Sequence, residues 1–211
     1  MTGVTYNRQM IHLYLVRHGI AEDPQPGRED ASRALTAEGR DRFRRAAKAF
    51  SRLGEPVDLL FTSPLVRAVQ TAELFAEAIG RSQVEVLEEL APEVSSEGLF
   101  AALGRRVKEG QAVVVVGHDP QMSANVAAAA GLSPQEAMRI EFRKGCIVRI
   151  DVKGLPKTQP ALPRWWMRPK KRELVKGLPL YEPKQPKEAK ANSAKGNGKG
   201  AGGPDKGGGT A

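Results

Sequence analysis

Two apolar runs that each end on a histidine constrain this chain more than any other feature. Leu13-Tyr14-Leu15-Val16 leads straight into Arg17-His18-Gly19, and Ala112-Val113-Val114-Val115-Val116 leads into Gly117-His118. Apolar runs this short, rich in β-branched residues, read as strands buried on both faces. Such strands belong to parallel sheets covered by helices, where ligands gather outside the carboxyl ends. The chain has three histidines, and two of them stand at such ends. If the two strands are neighbours, His18 and His118 face one pocket.

The remaining elements follow from punctuation and period. A polar loop over 20–32, broken by Pro24, Pro26 and Gly27, precedes a helix beginning at Thr36. In that helix Phe43, Ala46, Ala47, Phe50 and Leu53 recur at helical spacing, its arginine-rich face reads as solvated, and Gly54 stops it. Residues 57–61 read as a second strand. Thr62-Ser63-Pro64 reads as a helix start with Ser63 as cap, and that helix runs to Ile79 before Gly80. A short strand over 84–87 leads into an acidic loop with Glu88, Glu89, Glu93 and Glu97, then a helix marked by Leu99, Phe100, Leu103 and Val107. A small-residue helix over 120–130 follows the valine strand. From Arg139 the period changes to two, which predicts an edge hairpin turning at Lys144-Gly145, and 163–169 adds a last edge strand. Strand and helix alternate four times before the hairpin. The expected fold is therefore α/β, a three-layer α/β/α arrangement with a largely parallel central sheet and an antiparallel edge hairpin.

Charge divides the chain. Residues 1–152 hold 19 basic and 20 acidic side chains, and residues 153–211 hold 14 and 4, so the net +9 comes from the second part. The basic balance is read as the property of a tail and says little about the pocket. The boundaries expected are an N-terminal extension over 1–10, a domain over 11–176 and a basic low-complexity tail over 177–211, rich in Lys and Gly and disordered. A tail of this kind serves as a solubilising or tethering extension, with weak nonspecific polyanion contact as its other use. One cysteine, Cys146, forms no internal disulfide and fits a reducing compartment. No signal peptide or membrane-length apolar stretch is read, and the expectation is a cytoplasmic protein without membrane contact.

Around the expected pocket, Arg17 adds a fixed charge from the end of the first strand, and Arg67 a second from the first turn of the helix after Ser63-Pro64. Two guanidinium forks, two imidazoles and helix amides make a site for a tetrahedral dianion, of which phosphate is the simplest. A neutral imidazole there can attack phosphorus while its neighbours neutralise the oxygens. No metal or other cofactor is expected: three histidines and one cysteine offer no zinc-ligand spacing, and the glycines at 196, 198 and 200 lack the strand and helix of a phosphate-binding loop.

These stretches, with Leu35-Thr36 and Gly39 and with Ser63-Pro64-Leu65-Val66-Arg67-Ala68-Val69-Gln70-Thr71-Ala72 between them, resemble the histidine phosphatase superfamily. The short spacing resembles its small phosphohistidine phosphatases of the SixA type, over roughly residues 11–168. The resemblance implies that His18 is the phosphorylated nucleophile, that Arg17 and Arg67 grip the phosphoryl group and that His118 contacts it. It also points to Arg33, although Ala34 stands where proline usually follows. Larger relatives carry an acid either in the loop after the third strand, here Glu89 and Glu93, or directly after the second histidine, here Asp119. Phosphohistidine leaves through a nitrogen that takes up a proton readily, so an ambiguous acid favours a phosphoramidate substrate.

The expected function is a metal-independent phosphatase acting through a covalent phosphohistidine. Its favoured partner is a phosphorylated protein bearing phosphohistidine, a phosphorelay domain being one such protein. Two alternatives stand beside it: a small-molecule phosphoesterase or phosphoanhydride hydrolase with the same centre, and a catalytically silent polyanion-binding module. A mutase fits less well, because the chain shows no lid to shield a phosphoenzyme from water.

Overall fold

The computed structural model describes residues 9–156 and 159–181. Most of the expected N-terminal extension, and the tail from 182 on, with the disorder expected of it, lie outside the described residues. In chain order the elements are β1 (Ile11–Arg17), α1 (Ala37–Ser51), β2 (Leu59–Thr62), α2 (Val66–Ala78), β3 (Glu85–Val86), α3 (Ser96–Gly104), β4 (Ala112–Gly117), α4 (Gln121–Ala130), α5 (Pro134–Ala137), β5 (Ile147–Val152), β6 (Leu162–Met167) and β7 (Leu174–Lys176).

The strands form one sheet in the order β3-β2-β4-β1-β5-β6-β7. β1 and β4 are parallel neighbours, with Arg17 opposite Gly117, so the two histidine-ending strands lie side by side. The chain leaves β1 for β2 and β3 on one side, then returns through α3 to β4 and crosses to β5 on the other. Right-handed crossovers running in opposite directions place their helices on opposite faces. Accordingly α1 and α2 pack with Tyr14, Val16 and Val114 on one face, while α3 and α4 pack with Leu13, Leu15 and Val115 on the other. The gap between the carboxyl ends of β1 and β4 is where these departures diverge, and it is open to a ligand.

Local chemistry sets the boundaries. Thr36 caps α1 by accepting a hydrogen bond from Gly39 N, Ser95 caps α3 through Gly98 N, and Gly131 ends α4 at a φ of 67°. Gly39 also lets α1 lie against the chain beside the site: a Cβ there would come within 2.0 Å of the Ile20 carbonyl oxygen. In an ordinary helix, alanine stabilises by up to about 1 kcal/mol over glycine. Here Gly39→Ala is expected to destabilise by about 1–3 kcal/mol through backbone overlap, read as a lowered Tm in calorimetry.

Four expectations change. The segment 139–146 forms no strand; the antiparallel partner is β5, which lies inside the sheet between β1 and β6. Its charged residues therefore face protein and not solvent: Arg149 is 1% exposed and Asp151 0%, with Arg149 paired to Glu55 at 2.7 Å and to Asp151 at 3.1 Å. His12, buried at the far end of β1, lies 2.8 Å from Asp151 in the same cluster, which ties the strands away from the ligand gap. β6 is not the edge, because β7 pairs with it, and the chain stays on the fold past 176, with Leu180 bridging Ile140. Ser63 does not cap α2, whose N-cap is Leu65 without a side-chain bond. The hydroxyl of Ser63 instead accepts from the N–H of Leu65 itself at 3.3 Å and lies 2.8 Å from His118 Nε2.

Candidate active site

His18 follows β1 directly, and its backbone N–H bonds to Gly117 O at 3.0 Å, which carries the pairing with β4 one step beyond the strand. The His18 and His118 rings consequently meet, with centroids 5.1 Å apart at an angle of 51°. His18 Nδ1 lies 2.7 Å from Gly19 O. A carbonyl only accepts, so Nδ1 carries the proton and Nε2 keeps the lone pair. On the second ring, Nε2 lies 2.8 Å from Ser63 Oγ, and Nδ1 is buried without a partner among the described residues. If the Ser63 hydroxyl donates to Nε2, Nδ1 is N–H and can donate to an anion.

Both rings are pushed toward neutrality. Burial, reinforced by Arg67, Arg17 and the other ring, lowers His18 from 6.5 to about 3. Burial and then Arg67 lower His118 to about 4. A nucleophilic lone pair is thus present across the neutral range. Ring titrations followed by NMR are expected to give midpoints near 3 and 4 for these two histidines. The unfolded rings protonate first as the pH falls below 6.5, so stability is full above that value and declines toward pH 4, seen as a falling Tm. A midpoint near 6.5 for His18 would contradict this.

The arginines converge from three segments. Arg17 Nη1 donates to Phe142 O at 2.6 Å. Arg67, on the first turn of α2 and 4% exposed, donates from Nη1 to Asp30 O and from Nη2 to Asp30 Oδ2, each at 2.8 Å. The Nε atoms of Arg17 and Arg67 are both buried with no partner among the described residues. Together with His118 Nδ1 they leave polar nitrogens from three cationic or imidazole groups unsatisfied beside His18. Such burial is costly unless an acceptor completes it, and a tetrahedral oxyanion does so. Arg33 reaches the same cluster, with Nη2 2.6 Å from Asp30 Oδ1 and Nη1 donating to Glu22 O at 2.6 Å.

Of the three candidate acids, one comes to the site. Asp119 Oδ2 lies 3.7 Å from Arg17 Nη1, and its Oδ1 accepts from Ser123. Glu89 pairs instead with Arg105 at 3.3 Å, and Glu93 is exposed. Gln121 ties this acidic loop to α4 by donating to Glu89 O, Ala91 O and Val94 O. No group of three or more His, Cys, Asp or Glu among the described residues is placed to hold a metal ion.

Several residues that build the site carried no separate sequence signal. Asp30 joins Arg67 to Arg33, and these two hold its carboxyl below the usual range, Arg33 chiefly. Its mark was an acid three positions before Arg33. Thr71 Oγ1 accepts from Gly19 N at 3.1 Å and donates to Arg67 O at 2.6 Å, while Gln70 Oε1 accepts from Leu35 N at 2.7 Å. With Ser63, both lie inside the motif that carries Arg67. Their spacing brought them together without saying what they hold.

Comparison with known proteins agrees with this geometry. Residues 13–94 match the model of the histidine phosphatase superfamily (branch 1). An uncharacterised protein of Picosynechococcus sp. is 39% identical over 113 residues, 53% of this chain and 68% of that protein. The structure of the protein histidine phosphatase SixA complexed with tungstate is similar with a TM-score of 0.66 and 26% identity, covering 77% of this chain and 99% of that one. A mycobacterial glucosyl-3-phosphoglycerate phosphatase shares the fold at a TM-score of 0.53 and 19% identity, over 67% of this chain and 90% of its own.

Proposed function

This chain belongs to the histidine phosphatase superfamily, and we propose that it is a phosphatase that removes phosphoryl groups from protein phosphohistidine through a covalent intermediate on His18. The observation that carries the reading is the free Nε2 of His18, with Nδ1 bound to Gly19 O, facing the unsatisfied nitrogens of Arg17, Arg67 and His118. The similarity to SixA, a protein histidine phosphatase whose structure holds tungstate, supports the same assignment, since tungstate is a tetrahedral oxyanion like phosphate.

The steps follow from the positions. The Nε2 lone pair attacks phosphorus and the bond to the substrate nitrogen breaks, leaving phosphoryl on His18 and releasing the substrate imidazole, which takes up a proton. Arg17, Arg67 and His118 Nδ1–H donate to the phosphoryl oxygens, where charge is greatest in transfer. Arg33 and Asp30 hold Arg67 in place. Water then attacks the same phosphorus, inorganic phosphate departs and Nε2 regains its lone pair. Asp119, beside Arg17, is the carboxylate within reach for proton transfer. A leaving nitrogen asks less of it than an alkoxide would.

The test is turnover of a panel made of a phosphohistidine peptide, phosphoramidate and p-nitrophenyl phosphate. Cleavage of the first two in clear excess over the ester, with Asp119→Asn reducing only the ester reaction strongly, is the expected result. Equal turnover of all three would overturn the substrate assignment and favour a small-molecule phosphoesterase.

A further inference from the structure

A cleft of about 1270 Å³ opens from the site at Arg17 and Gly19 and runs between α1, the 141–145 segment and the β6–β7 hairpin. It is far larger than a phosphoryl group. Ten of its lining residues are Lys or Arg against the one carboxylate of Glu141. Part of the basic excess that the sequence assigned to a tail therefore lies beside the pocket, because β6 and β7 fold back onto the sheet.

The charges are not equivalent. Arg42, Arg45 and Arg143 carry partners on their own segments, namely Glu38, Asp41 and Glu141. The β6–β7 turn, closed by Arg168 N to Glu173 O at 2.9 Å, presents Lys170, Lys171 and Arg172 in succession, all exposed. Arg172 adopts a φ of 58°, a conformation that glycine takes without strain. Lys144 and Lys176 extend the same surface, both exposed.

We propose that this cleft binds an acidic polypeptide segment flanking the phosphorylated side chain of a protein substrate; the inference rests on the reading that the substrate is a protein. Two observations favour a polypeptide over other anions. Of its two lining aromatics, Phe43 is buried and Trp166 has one face taken by the Arg168 guanidinium, 5.6 Å from the ring centroid, so the cleft offers no row of open aromatic platforms on which successive nucleic-acid bases stack. Its cations are also offset at intervals, Arg42 and Arg45 by Glu38 and Asp41 behind them on α1 and Arg143 by the lining carboxylate Glu141. That pattern suits side-chain carboxylates spaced along an extended peptide better than the unbroken charge of a phosphate polymer.

The test separates docking from chemistry and uses the full chain. Fluorescence anisotropy measures binding of an unphosphorylated Asp/Glu-rich peptide, a Ser/Gly peptide of equal length, oligo-dT and inorganic polyphosphate at one salt concentration. The acidic peptide is expected to bind, more weakly as salt rises, and K170E/K171E/K176E is expected to weaken it about tenfold. The same variant is expected to raise KM about tenfold for a phosphohistidine peptide with acidic flanks, leaving its kcat and phosphoramidate turnover unchanged. The milder K144Q/K171Q pair, expected to act in the same direction, guards against misfolding of the triple variant. Equal binding of the neutral peptide, tighter binding of oligo-dT or polyphosphate, or no effect of either variant would overturn the inference. Peptide binding without phosphohistidine hydrolysis would leave docking intact and overturn the substrate reading instead.

Discussion

His18→Ala is expected to abolish turnover, with kcat/KM for phosphoramidate or a phosphohistidine peptide falling at least about 10⁴-fold, because in the proposed mechanism the attacking lone pair is the Nε2 of this ring. Rapid acid-free quenching with radiolabelled substrate is expected to trap label on the wild-type chain and none on the variant. The fold tolerates the change: the ring's own hydrogen bond goes to the adjacent Gly19 carbonyl, whereas the backbone N–H that pairs with Gly117 O is kept. The circular dichroism spectrum therefore stays wild-type. A variant retaining more than a hundredth of the activity would mean that another residue accepts the phosphoryl group.

Arg67→Ala is the second large effect, with kcat expected to fall about 10²–10³-fold. In the proposed mechanism the guanidinium has two tasks at once. Its Nη atoms take the main-chain and side-chain oxygens of Asp30, and its Nε edge, buried and unpartnered, is left for the anion. Arg67→Lys is expected to recover little, since one ammonium cannot span both sets of acceptors. The Ki of inorganic phosphate is expected to rise in parallel. Rescue of Arg67→Ala by added guanidinium would support the assignment, and full activity of the lysine variant would refute the forked geometry.

Legibility in the sequence followed local determinism. β1 and β4 were legible because both faces of each are apolar, a pattern that needs no partner to be recognised. α1 was legible down to its cap at Thr36 and its stop at Gly54, whose φ is 67°. β5 was legible as a strand but not in position. Arg149 and Asp151 alternate with apolar residues as they would at a solvated edge, yet the distant Glu55 pairs with Arg149, and Arg149 and Arg164 pair with Asp151, which makes their burial tolerable. Ser63 misled for the same kind of reason. Its sequence signal fits a cap, and the competing claim of His118 comes from a strand 55 positions away.

The sequence by itself determined the alternation of strands and helices, the two histidines at the ends of apolar runs and the supply of arginines nearby. These depend on propensity, period and punctuation, which act within a few residues. Only the tertiary structure decided that β1 and β4 are neighbours, that Asp30 joins Arg67 to Arg33, that Asp119 rather than Glu89 or Glu93 comes to Arg17, and that the β6–β7 lysines flank the site. Each of those is a contact between segments far apart in the chain, set by how the strands order themselves in the sheet, and strand order is a property of the packed whole.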